Sequence, residues 1–129
     1  MGDRGNIVIR QSAGGPGAST ADSYLYLYTH WGGSDLPEIL QAALKRGQER
    51  WDDEPYLARI IFQEMLGGDD GLTGFGISTH VGDNEHDFLL VDCGEQTVAV
   101  VPPDKFPTHR KSWSFEEFVK LDPESIGFE

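Results

Sequence analysis

Residues 23–46 read SYLYLYTHWGGSDLPEILQAALKR, and the change of period inside this stretch decides the fold. From Asp22 to Trp31 the side chains alternate as in a β-strand. Tyr24, Tyr26, Tyr28 and His30 fall on one face, and Leu25, Leu27, Thr29 and Trp31 on the other. Gly32 and Gly33 permit a sharp reversal. Asp35 then predicts a helix N-cap, with Pro37 in the first turn and Glu38 completing a D-x-x-E capping box. Leu36, Ile39, Leu40, Ala43 and Leu44 follow with helical spacing, and Lys45 and Arg46 sit at the negative end before Gly47. A strand running into a capped amphipathic helix predicts a mixed domain. Its aliphatic strand face meets the core, and its tyrosine face is either covered by another element or is a working surface.

Outward from this stretch the chain supplies further elements. Upstream, Asn6 to Gln11 (NIVIRQ) reads as a first strand, and residues 12–20 (SAGGPGAST) as a flexible loop. Downstream, Asp52-Asp53-Glu54-Pro55 opens a second helix whose buried face carries Leu57, Ile60, Ile61 and Met65, and Gly67-Gly68 stops it. Phe75 to Val81, Phe88 to Cys93 and Gln96 to Val101 read as strands. Gly94-Glu95 fits a two-residue II′ turn between the last two, and Pro102-Pro103 ends the sheet. Lys105 to Lys111 is an irregular basic patch. Ser114 and Glu117 form a capping box for a short helix from Phe115 to Lys120, and residues 122–129 read as a tail that frays. The expectation is a single α+β domain over residues 1–129, of order β-β-α-α-β-β-β-α. A mostly antiparallel sheet of about five strands would pack against a helix pair and a short C-terminal helix.

Composition narrows the functional classes. Twenty-two Asp and Glu against ten Lys and Arg give a formal net charge of -12. Such a chain repels bare nucleic acid and anionic membrane and is drawn to basic partners, including proteins built to handle nucleic acid. The lone Cys93 excludes an internal disulfide framework and a Cys-rich zinc site, which fits a reducing cytoplasm. No apolar run approaches the ~20 residues of a membrane span, and the N-terminus MGDRGNIVIRQ has neither a signal-peptide core nor a myristoylation pattern. These features predict a soluble cytoplasmic protein.

The segments YLYTHWGG, LPEILQAAL, RWDDEPYLARIIFQEM, GFGIST and DNE together resemble a group of small proteins of bacteria, notably actinobacteria, and their phages. The resemblance runs from the N-terminus to about Val91-Asp92, and its recognisable parts are Tyr28-Thr29-His30-Trp31-Gly32-Gly33 and Trp51-Asp52-Asp53. It implies no activity. What it implies is a setting: a small intracellular protein of the kind phages carry for host manipulation.

Several clusters hold side chains capable of chemistry. Tyr28, His30 and Trp31 have the composition of a ligand site, with His30 as a base. Equally, Trp31 would close the core as a wedge where strand meets helix, with His30 hydrogen-bonded locally. Trp51-Asp52-Asp53-Glu54 is explained by helix capping. His80, Asp83, Glu85, His86 and Asp87 form the densest group of metal-ligand types, but their spacing fits no metal motif and equally describes a polar turn. Ser78 and His80 share a strand face without a third catalytic member, and no P-loop, dinucleotide or nucleophile-elbow pattern occurs. No metal, cofactor or catalytic residue is therefore assigned.

The resulting expectation is an acidic protein-interaction module without enzymatic chemistry. It would act as a phage-type inhibitor of a host defence or nucleic-acid-handling protein, in anti-CRISPR-like or DNA-mimic-like fashion, by covering a basic surface. Tyr24, Tyr26, Tyr28, His30, Asp83, Glu85 and Asp87 are its contact residues. Two alternatives stay open. One is a small enzyme or ligand-binding domain, with a pocket between the tyrosine strand and the helix pair in which Tyr28 or Arg59 holds the ligand. The other is a homo-oligomer joined through the tyrosine face.

Overall fold

The computed structural model describes residues 2–11 and 23–129. The stretch 12–20, expected to form a flexible loop, lies outside them. Strands β1 (Gly5–Gln11) and β2 (Ser23–Thr29) precede helices α1 (Leu36–Arg46) and α2 (Glu54–Leu66). Strands β3 (Phe75–Ser78), β4 (Phe88–Asp92), β5 (Thr97–Val101) and β6 (Lys111–Ser114) follow, then the short helix α3 (Phe115–Phe118). The fold is α+β, with one sheet ordered β3-β2-β1-β4-β5-β6 in which only β1 and β4 run parallel.

The two periods seen in the sequence build two layers. Ile7 and Ile9 of β1, Leu27 of β2, Leu89 and Val91 of β4, and Val98 and Val100 of β5 share one face of the sheet. That face packs against Leu36, Leu40 and Leu44 of α1, Leu57 and Ile61 of α2, and Phe115 and Phe118 of α3. Burying each of these side chains contributes about 1.5–3 kcal/mol. Gln41 is the one buried polar residue of α1; its amide donates to the Phe118 and Leu121 carbonyls and so anchors the end of α3. Trp51 does similar work from the helix link, donating to the Leu44 carbonyl at 2.9 Å and meeting Phe115 edge-on.

All three helices lie on this one side. The opposite face carries a smaller cluster of Val8, Phe88, Ala99 and Val101, closed by Tyr24, Tyr26, Leu90 and Phe106; among the described residues no α-helix covers it.

Several local expectations need correction. The sheet has six strands where about five were expected, because Lys111–Ser114, which shares only Lys111 with the basic patch, forms a further strand. Lys111–Ser114 pairs with β5, and Trp113, opposite Val98, turns inward to Phe118. Asp35 is the N-cap of α1, but its side chain caps nothing. A 3-10 turn over Gly33–Asp35 flows into the helix, leaving Asp35 near φ −96°, ψ 0° instead of the extended conformation that aims a cap inward. Asp3 acts there instead, accepting from the Ser34 amide across 31 residues of chain. The β4–β5 connection is four residues long, not a two-residue II′ turn, and the positive φ falls on Gln96 (54°) rather than on Gly94. Strand β3 stops at Ser78, whose hydroxyl accepts from the His80 amide and turns the chain away. The capping box of Ser114 and Glu117 is present as expected.

The tail 122–129 is docked rather than frayed. Asp122 caps a 3-10 turn, Ile126 is fully buried, and Phe128 stacks on His86. Among the described residues no helix is long and apolar enough to cross a membrane.

Candidate functional site

The helix-free face divides at Phe106. Its ring lies 4.9 Å from Tyr24 and 5.7 Å from Phe88 between centroids, both edge-to-face, with Tyr26 in turn edge-on to Phe88 at 6.1 Å. Packing of this kind stabilises aromatic pairs beyond simple burial. Of the two outcomes open for the tyrosine face, Tyr24 and Tyr26 meet the first, being half-buried beneath the loop that follows β5.

Past Phe106 toward β3 the face opens. Here Asn6, Tyr26, Tyr28, Gly76, Ile77, Ser78, His80, Gly82 and Asp83 line a cavity of about 290 Å³. Register explains the grouping. Asn6 pairs with Tyr28, Tyr28 with Gly76, and Tyr26 with Ser78, so these side chains stand on one face across three strands. The cavity lies across the sheet from the helix pair, not between strand and helices as the ligand-binding alternative supposed. Arg59, on α2, is on the other side of the sheet from it.

Tyr28 and His30 are coupled, with the hydroxyl 2.8 Å from His30 Nδ1. Burial, reinforced by Asp83, pushes the Tyr28 phenol above its usual range, so the hydroxyl stays protonated at neutral pH. His30 is held as a structural element. Its amide donates to the Gly74 carbonyl, its carbonyl accepts from Asp3, and a Cβ on Gly2 would fall 2.9 Å from Nε2. Gly2 thus approaches that nitrogen closely, and a side chain there would collide with it. Ser78 and His80 do meet, at 3.1 Å, but among the described residues no third group orients the imidazole.

Trp31 is not a core wedge. The strand ends at Thr29, and Trp31 lies 53% exposed, with its six-membered ring flat over Gly74 and edge-on to Phe75. Gly74 has φ +96°, and any Cβ there would come within 2.0 Å of the indole. Trp31 and Gly74 are thus a matched pair.

The three expected contact carboxylates are all paired. Arg4 bridges Asp83 at 3.3 Å and Glu85 at 3.0 Å, and a hydrogen bond from the Arg4 amide helps hold Glu85 below the usual carboxylate range. One guanidinium against two carboxylates leaves one net negative charge in this group, of which Asp83 lines the cavity. Asp87 is only 7% exposed; it accepts from Arg110 and from the Glu129 amide and belongs to the tail dock, not to the surface. His86 bonds Asp3, so the residues of metal-ligand type between His80 and Asp87 are divided among separate partners. Among the described residues no three His, Cys, Asp or Glu side chains converge on a metal position.

Sequence reasoning missed Asn6, Gly76 and Arg4. Asn6 had a visible signal, because alternation in NIVIRQ sets Asn6, Val8 and Arg10 against Ile7 and Ile9. Gly76 and Arg4 gave none, since their importance comes from pairing across the sheet.

Strand β3 itself is an edge strand of four residues, bonded among the described residues only to β2 and carrying no Lys or Pro to guard it. Five large apolar side chains are exposed among the described residues, and four of them lie on β3, within three residues of its ends, or against its first residue. Ile77 (57%) is on β3, Leu72 (100%) and Val81 lie three residues to either side, and Trp31 covers its entrance. Compared with models of known families, with curated proteins and with solved structures, the chain matches none.

Proposed function

We propose that the protein is an acidic protein-interaction module whose contact surface is the β3 edge, together with the open end of the helix-free face. One observation carries the reading. Of the five exposed large apolar side chains among the described residues, Ile77 is on the edge strand, Leu72 and Val81 lie within three residues of its ends, and Trp31 packs on its first residue, Phe75. A partner there gains both backbone hydrogen bonds and apolar anchors. Trp31 is the anchor type most often found at the centre of interfaces.

The net charge of -12 favours a basic partner and speeds its approach. With Asp83, Glu85 and Asp87 paired internally, contact runs through Trp31, Ile77 and Tyr28, and the charge acts mainly as a long-range field. The resemblance to small actinobacterial and phage proteins supports a partner among host defence or nucleic-acid-handling proteins, blocked by occlusion of its basic surface.

The test is affinity capture from an actinobacterial lysate, comparing the native chain with Trp31→Ala, Ile77→Lys and a helix-side control, Glu49→Ala. A basic protein retained by the native chain and the control, lost from the first two variants and weakened by salt, is the expected result. Retention that ignores both edge substitutions refutes the surface. Association of the protein with itself, lost in Ile77→Lys, would make the same edge a homo-oligomer interface.

A further inference from the structure

Hydrogen-bond parity fixes which backbone groups of β3 face outward. The His30 amide donates to the Gly74 carbonyl, and the antiparallel register continues as Thr29–Phe75, Tyr28–Gly76, Leu27–Ile77 and Tyr26–Ser78. Bonded and non-bonded pairs alternate along such a ladder. Gly76 and Ser78 therefore turn their N–H and C=O groups toward β2, while Phe75 and Ile77 turn theirs to the open edge. Among the described residues no element pairs with β3 on that side. Two N–H and two C=O groups thus stand two residues apart along one line, which is the spacing at which a further strand bonds.

The side chains define what such a strand carries. Ile77 lies opposite Leu27 and Phe75 opposite Thr29, so both belong to the helix-side face; Phe75 packs on the core there and Ile77 stays exposed. In antiparallel addition, the more stable pairing per residue, partner residues bonded to Phe75 and Ile77 continue that face. Apolar side chains at these positions cover Ile77. The residue between them falls on the opposite face beside Gly76, where a Cβ would meet only Tyr28, at 4.0 Å, so a large side chain has room. The approach to the strand is acidic, because Asp69 and Asp70 are exposed just before it and meet no Lys or Arg among the described residues. A second copy of this chain would bring the same carboxylates and another net charge of -12 against them, whereas a basic segment is attracted.

We infer that β3 takes up an extended segment of the basic partner as a further antiparallel strand, bonded to the backbone of Phe75 and Ile77. The segment has apolar side chains on the helix-side face, a large one beside Gly76, and lysine or arginine at its flanks. The inference rests on the interaction-module reading and specifies the form and chemistry of the partner's contact.

The test titrates the isotope-labelled protein with the capped peptide Lys-Lys-Val-Tyr-Val-Lys-Lys. The Phe75 and Ile77 amides are expected to shift and to gain protection from exchange, whereas the Gly76 and Ser78 amides, already turned to β2, gain none. Methylating both valine nitrogens of the peptide, which face β3, should weaken binding about tenfold or more, and methylating the tyrosine nitrogen, which faces away, should not. In the protein, Ile77→Pro and Ile77→Ala lose the same apolar side chain, but only proline also removes an N–H. Strand β2 does not use that N–H, so the edge tolerates proline there. The proline variant should bind about tenfold more weakly than the alanine variant. Equal loss from both methylation patterns, equal binding by the two variants, or no saturable response up to about 10 mM peptide overturns the inference. Pairing of the protein with itself through the same two amides, undiminished by the peptide, overturns it as well. A basic protein captured equally by Ile77→Pro and Ile77→Ala, yet lost on Trp31→Ala, overturns strand addition while leaving the interaction surface standing.

Discussion

The two faces of one sheet are finished differently. On the helix side, Ile7, Ile9, Leu27, Leu89, Val91, Val98 and Val100 make an unbroken apolar floor sealed by three helices. On the other side the apolar part shrinks to Val8, Phe88, Ala99 and Val101 under a single plug, Phe106. Beyond that plug the surface turns polar and concave around Asn6, Tyr28 and Ser78. Each strand contributes alternately to both faces, so the same residues of chain fold the protein with one set of side chains and present a surface with the other. Stability is concentrated on the covered face, and this leaves the open end free to keep an unguarded edge and an exposed Trp31.

Substitutions on the two faces should differ by amounts that make this contrast measurable. The largest effect is expected from Leu89→Ala, which empties a fully buried site facing the helices. Urea unfolding should show a loss of about 3 kcal/mol. Phe106→Ala removes the plug of the open face and should cost about 2 kcal/mol, less than a core truncation because the ring is only partly buried. If it costs as much as Leu89→Ala, the open face holds a second core and the contrast fails.

Gly74→Ala should cost about 1–2 kcal/mol from its positive φ. More tellingly, it should dislodge Trp31, so that indole fluorescence shifts to the red while the far-UV spectrum is kept.

The smallest effect concerns acid. Hydrogen bonds from Ser34, then from His86, hold the Asp3 carboxyl down to about 2. A depressed carboxylate contributes stability above its unfolded value near 3.8, lost as pH falls toward 2. Asp3 is more than a third exposed at its side chain, so solvent screening keeps the contribution small. Comparing acid unfolding of the native chain and Asp3→Asn should show a shallower pH dependence for the variant between about pH 4 and 2.

How much of this was legible in the sequence depends on the range of the interactions. The strand-to-helix transition at residues 23–46, the α2 apolar face and the Ser114 capping box were readable because each is decided within a turn or two. Strand β6 was hidden, since KSWS is short and its Trp113 finds its role only against Val98 and Phe118. The tail was read as loose because the groups that dock it, His86 and Arg110, lie 17 to 43 residues away. At the candidate site, alternation correctly placed Tyr24, Tyr26, Tyr28 and His30 together but carried no information about Phe106, which covers two of them. The carboxylates misled for a similar reason: a count of charges does not show that Arg4 and Arg110 are paired with them.

The central claim is that contact is made at the β3 end of the open face. Its most direct test is backbone-amide shift mapping of the labelled protein, free and bound to a captured basic partner. The prediction is that perturbations concentrate on Trp31, the β3 residues Phe75–Ser78, Tyr28 and Asp83, with the outer positions Glu38, Glu49 and Arg59 unmoved. Perturbations centred on those helix-side positions, with β3 silent, would contradict it.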